Sequence, residues 1–224
     1  MKSNQKLTPE GRAFLAEVRA VEERLFPELL DPELPRRLLG VRRYREFRPS
    51  HHVSRGLLLA PDLAQLSLPG RRLLSVGAYP ACFEYLLCTM GLPAENLVVS
   101  DNDPAIAGCR GTMEKVVFDL FEPWPELGAF DMIVFPESLC MALGDRVAVA
   151  APESMVPFPK DQVAGRLLAQ VLGEALKRLR PDGEIRADGP MSHPNVFRIA
   201  SVELETAGVP HRIEYERFFV RVGR

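Results

Sequence analysis

Long apolar runs are missing from this chain. No uncharged hydrophobic stretch approaches 18 residues, and the opening segment MKSNQKLTPEGRAF is polar, so we expect neither a membrane span nor a signal peptide. An excess of one charge is missing too. The 28 Lys and Arg face 30 Asp and Glu, a net charge of −2 that gives no global pull toward nucleic acid or an anionic membrane. Cysteine is sparse: Cys82, Cys88, Cys109 and Cys140 lie in or beside apolar segments without CxxC spacing. That pattern reads as buried free thiols in a reducing cytoplasm rather than a disulfide framework or a metal site. There is no internal repeat and no low-complexity segment. What is present is 224 residues of which 46% are apolar, enough to bury a full core in one sizeable α/β domain with an appendage.

The first 68 residues read as an N-terminal helical cap, and 69–224 as a separate α/β domain. In the cap, Thr8 is placed as an N-cap with Pro9 at the first helical position, and Phe14, Leu15, Val18, Val21 and Leu25 recur at helical spacing. A second, shorter helix is expected from Asp31 to near Gly40. Residues 36–55 hold seven arginines against one acid, Glu46, and form the only strongly basic strip. It is either a solvated face or a site for an anionic group.

From residue 71 short apolar runs alternate with longer helical ones. RLLSVG, NLVVSD, KVVFDL, FDMIVFP and EIRADG read as five strands, and HRIEYERFFVRVGR as two more. Between them CFEYLLCTMG reads as a helix stopped by Gly91, DPAIAGCR as a helix start capped by Asp103, DQVAGRLLAQVLGEALKRL as a long helix, and VFRIASVELETAG as another. Strands alternating with helices imply a parallel, doubly wound sheet covered on both faces. The last two strands are joined too tightly for a crossover and should run antiparallel. The expectation is therefore a Rossmann-like three-layer sandwich with a seven-stranded, mostly parallel sheet and a terminal antiparallel hairpin.

Within that frame, LLSVGAYPA, LVVSDNDP, VVFDLFEPWPELGAFDMIVFP and ALKRLRPDGEI stand in an order that resembles the class I S-adenosylmethionine-dependent methyltransferase superfamily over about residues 70–224. The resemblance implies S-adenosylmethionine as cofactor. It implies a loop of Ser75, Gly77, Ala78 and Tyr79 under the methionine portion, and Asp101 with Asn102 at the ribose. Asp119 with Leu120 falls near the adenine, and Pro136 at the edge of the site. A carboxylate suits the ribose because its two oxygens meet two adjacent hydroxyls.

The loop departs from the family pattern. Ser75 stands where the family has its first acid, and Tyr79 and Ala81 replace the second and third glycines. A Rossmann dehydrogenase would need G-x-G-x-x-G after the first strand, and one glycine of three is present. Ligands of such folds bind at the carboxyl ends of the strands, where Ser75, Gly77, Asp101 and Asp119 should converge. An ordinary turn would not need the two aspartates, so the loop reads as a modified cofactor site.

Methyl transfer requires in-line positioning and, for a hydroxyl or ammonium acceptor, a base. His51, His52, His193, Glu137 and Tyr44 are the candidates. The adjacent histidines have no scaffold that would make them a metal site, so no metal is expected. Trp124, between two prolines, reads as a packing plug. The tetrapeptide FPES at the end of the fourth strand lacks the Asn/Asp-Pro-Pro-aromatic motif of enzymes that methylate base amino groups; Pro136 alone matches it. The acceptor is therefore expected to be a small molecule, anionic if the arginine strip folds over the site. Two alternatives stay open: a binding or scaffold module without catalysis, and an RNA methyltransferase using strip 36–55. No motif names the acceptor or the oligomeric state.

Overall fold

The computed structural model describes residues 8–27, 48–136, 138–150, 157–188, 194–215 and 219–224. The expected helix 31–40, Tyr44, Glu137, His193 and all strip arginines except Arg48 and Arg55 lie outside them.

Seven strands form one sheet: β1 (Leu73–Val76), β2 (Leu97–Asp101), β3 (Glu114–Val117), β4 (Phe130–Phe135), β5 (Leu179–Asp188), β6 (Arg212–Tyr215) and β7 (Phe219–Gly223). Their order is β3-β2-β1-β4-β5-β7-β6. The first five are parallel, with Leu73 opposite Leu97 and Met132, and β7 runs antiparallel between β5 and β6. The interior strands carry β-branched and leucine side chains on both faces because both faces are covered. All four residues of β1 are buried.

The two faces have separate cores. Leu73, Leu97, Val99, Met132 and Val134 point to one face, packed by α1 (Pro9–Leu25), α2 (Pro49–Ser54), α3 (Ala60–Leu66) and α4 (Cys82–Thr89). Leu74, Val76, Val98, Ile133 and Phe135 point to the other, covered by α5 (Ser138–Ala150), α6 (Pro157–Lys177) and α7 (Pro194–Thr206). Trp124 is buried in that second core, and its indole N–H donates to Leu120 O at 3.0 Å, as a packing plug would.

Polar ties fix the N-terminal helices in place. Buried Glu22 of α1 accepts from Arg48 Nε and Nη2, at 3.2 and 3.0 Å. Arg186 of β5, 4% exposed, forks onto Asp62 of α3 at 2.6 and 2.9 Å. The Asn96 amide donates to Leu66 O and Leu68 O. Such bidentate pairs fix orientation as well as distance.

Several local expectations shift. DPAIAGCR does begin at an Asp103 cap, with Ala105 N–H donating to its carboxylate at 2.8 Å, but the turn is a five-residue 3-10 segment, Pro104–Gly108. No helix was expected over 138–150, where α5 stands. Strand β3 stops at Val117, two residues short of Asp119. The Arg-Pro-Asp-Gly segment belongs to β5 as a register shift: Leu179 pairs with Phe130 and Glu184 with Met132. The four cysteines are free and half-buried rather than fully buried.

Candidate active site at the carboxyl ends of the strands

A cavity of about 570 Å3 opens at the carboxyl ends of β1, β2 and β4. Its size is that of a small-molecule pocket. Gly77, Ala78, Tyr79, Asp101, Asn102 and Asp119 line it, as do Leu120 and Pro136. Eight of the nine residues expected at the cofactor are thus brought together.

The turn after β1 is held from below. Gly77 N–H and Ala78 N–H both donate to Ser100 O, at 2.8 and 2.9 Å, and the Ser138 hydroxyl donates to Val76 O at 2.6 Å. Gly77 sits at φ +70°, and a Cβ there would lie 2.2 Å from the Ser138 Cβ. This glycine is therefore required by the close approach of α5 to the loop. Ala81, 1% exposed, also has a left-handed backbone (φ 60°), a conformation that costs an L-residue roughly 1 kcal/mol. Such strain survives where the surroundings over-determine the loop.

Asp101 closes the β2 end. One carboxylate oxygen accepts Tyr79 N–H at 3.0 Å and the other Asp103 N–H at 2.9 Å. Each oxygen keeps further acceptor capacity. Asp119 accepts Phe121 N–H at 2.9 Å and is ion-paired with Arg146 of α5. The Arg146 guanidinium also lies 5.1 Å above the Phe121 ring. With Phe118 and Leu120, that ring gives this end of the cavity an apolar slot.

Ser75 departs from expectation. Its side chain is fully buried below the cavity and donates to Glu84 Oε1 of α4 at 2.5 Å. Glu84, 1% exposed, lines the cavity instead. Burial pushes its carboxyl above the ordinary value of 4.5, with the Asp101 charge adding to it, while the Ser75 hydroxyl and the His52 ring pull the other way. One turn on, burial pushes the Cys88 thiol up to about 11, so it stays protonated at neutral pH.

The histidine pair divides. His52, 3% exposed, lines the cavity with its ring 5.3 Å from that of Phe83. His51, half-buried on the same short helix, is not part of the lining. Among the described strip arginines, Arg48 is engaged with Glu22 as a helix tie, not as a ligand group. Among the described residues no group of three or more His, Cys, Asp or Glu could hold a metal ion. No described helix is long and apolar enough to cross a membrane.

Sequence reasoning missed Glu84, Ser138, Met141, Asp145 and Arg146, all in the lining. An acid inside the apolar run CFEYLLC was the available signal for Glu84. The other four sit on the helix that was not foreseen.

No family model and no curated protein matches the sequence. Solved structures do. A TehB-like SAM-dependent methyltransferase from Corynebacterium glutamicum matches with TM-score 0.45 and 15% identity, over 93% of this chain and 98% of that one. TrmN from Thermus thermophilus matches at TM-score 0.42 and 18% identity, over 81% and 51%. The SAM-bound amino pentose methyltransferase CalS10 from Micromonospora echinaspora matches at TM-score 0.40 and 13% identity, over 58% and 49%. This chain spans about half the length of CalS10 and of TrmN. With its strand order 3-2-1-4-5-7-6 and reversed seventh strand, the chain has the fold of the class I S-adenosylmethionine-dependent methyltransferases.

Proposed function

We propose that this protein is a S-adenosylmethionine-dependent methyltransferase acting on a small-molecule acceptor. The observation that carries the reading is convergence. The Gly77–Ala78 turn, Asp101 and Asp119 follow or end three different strands, β1, β2 and β3, and face one cavity beside the switch point between β1 and β4. The residues fit the cofactor. Asp101 keeps acceptor capacity for two ribose hydroxyls, the slot of Phe118 and Leu120 suits a flat base, and carboxylates outnumber cations in the lining.

Bound S-adenosylmethionine supplies an electrophilic methyl group on a sulfonium. The protein's part is to exclude water, align the acceptor and take its proton. His52 is the described side chain suited to accept that proton, because it is buried and faces the cavity. Glu137 and His193 remain candidates for acceptor contact on sequence alone. Among the described residues the lining holds five acids, Glu84, Asp101, Asp103, Asp119 and Asp145, against the Arg146 cation. That balance disfavours a strongly anionic acceptor, and so also the RNA reading. The four free thiols suit a reducing cytoplasm.

The second reading is a methyltransferase fold that binds without catalysis. Its support is Arg146, which already occupies Asp119, and a bulky Tyr79 at the loop. Calorimetry with S-adenosylhomocysteine tests the choice. Wild type should bind, and Asp101→Ala should bind about 1–3 kcal/mol more weakly because ribose hydroxyls lose their acceptor. Equal binding by the two proteins would misassign Asp101. No binding by wild type would favour the module without cofactor.

A further inference from the structure

A buried acid lines the cavity beside the turn after β1. Glu84 is in the first turn of α4, on a helix whose Phe83, Leu86 and Leu87 are also buried. A carboxyl in such a place is costly to ionise, and the Ser75 hydroxyl, the backbone N–H of Glu84 itself and the His52 ring offset that cost only in part. A glutamine would keep the Ser75 hydrogen bond without that cost, and a leucine would pack. Yet this carboxyl faces the cavity, directly beneath the turn whose own strand residue, Ser75, carries no charge. A buried acid that costs stability and borders a ligand cavity has the profile of a group retained for binding.

We propose that Glu84 is the counter-charge for an ammonium group of the bound ligand, the α-ammonium of the cofactor's methionine portion, so that helix α4 supplies the acid absent from the end of β1. The inference rests on the cofactor reading above. A cation arriving in a cavity walled by Phe83, Cys82 and Val76 is poorly hydrated, and an anion in hydrogen-bonding range is its strongest replacement for water. The ionisable groups in electrostatic range of Glu84 are His52 from α2, Asp101 from the β2 end and Cys109 after the 3-10 segment, with Cys88 a turn along α4. Ser75 does not compete for the role: its hydroxyl is spent on Glu84, and its side chain is out of reach of the cavity.

The test compares two ligands and two proteins by calorimetry. S-adenosylhomocysteine carries the ammonium group; its deamino analogue keeps the nucleoside, thioether and carboxylate and lacks it. Wild type should prefer the amino compound by about tenfold, the worth of one charge-assisted hydrogen bond, and Glu84→Gln should erase that preference. A preference that survives in Glu84→Gln overturns the assignment, as does wild type binding both ligands equally well. Wild type binding neither ligand overturns the cofactor reading and this inference with it. A second measurement needs no variant. The wild-type preference should grow as pH rises from about 5 to 8, because the raised carboxyl must be ionised to meet the cation. Loss of the His52 charge would add to that growth, because it too acts on the ammonium, so the flat ratio is the decisive outcome. A flat ratio overturns the proposal even if the variant does not fold.

Discussion

The two sides of the cavity are built on opposite principles. On the β2–β3 side, Asp101 and Asp119 stand at the rim and are held by short-range partners: Tyr79 and Asp103 N–H for one, Phe121 N–H and Arg146 for the other. On the α2–α4 side, Glu84 and His52 are almost fully buried, and Glu84 has one side-chain hydroxyl against its carboxyl. Each carboxylate on the rim meets two hydrogen-bonding or charged partners. The buried one is held in an environment that resists ionisation. The difference teaches that one cavity can carry acids for two purposes, fixed hydrogen-bond acceptors at its edge and a conditional charge at its floor.

The change expected to disturb both sides at once is Gly77→Ala. The new Cβ would meet Ser138 at 2.2 Å in a backbone conformation that disfavours L-residues, so the loop or α5 must move. We expect a loss of about 3 kcal/mol in stability by urea unfolding, combining overpacking with left-handed strain. A variant as stable as wild type would show that loop and α5 are not packed as described.

Glu84→Gln sharpens the contrast without a ligand. A carboxyl whose folded-state pKa is raised contributes its stability fully below its unfolded value of 4.5, and that contribution is lost as pH climbs through the folded value. Wild type and variant should therefore have similar melting temperatures near pH 4.5. Above that, the variant should become the more stable by an increasing margin, on the order of a few degrees. A margin that shrinks with rising pH would show that Glu84 is stabilised as an anion by the protein itself.

Arg146→Ala probes the rim and should do least. Its pair with Asp119 is partly exposed, so removing it should cost no more than about 1 kcal/mol of stability. Thermal unfolding in low and high salt checks this, since screening should remove most of the difference between the proteins. A loss that persists in high salt would mean that the stacking of Arg146 on Phe121, rather than the charge pair, holds α5 to the rim.

The rim was legible from the sequence because strand ends announce themselves. Asp101 closes the run LVVS, and the expected strands RLLSVG and NLVVSD lie side by side in parallel, with Leu73 opposite Leu97. Asp119 was legible for the same reason, although β3 ends two residues before it. The floor was not legible, because burial on a helix depends on which face meets the sheet and what lies above it. α5 escaped because its apolar residues are interrupted by Gly144, Asp145 and Arg146, which blunt the periodicity that marks a helix.

What the sequence by itself determined is the alternation of strands and helices, the parallel sheet with its reversed last hairpin, and the acids at the strand ends. These follow from local hydrophobic period and turn chemistry, which act between near neighbours. Only the tertiary structure decided that Ser75 turns inward to Glu84, that His52 and not His51 reaches the cavity, and that Gly77 gives way to Ser138. Each of those depends on contacts between residues separated by at least nine positions in the chain, as in Ser75 with Glu84, and by as many as 62, as in Val76 with Ser138. Packing fixes such contacts, and no periodicity along the chain encodes them.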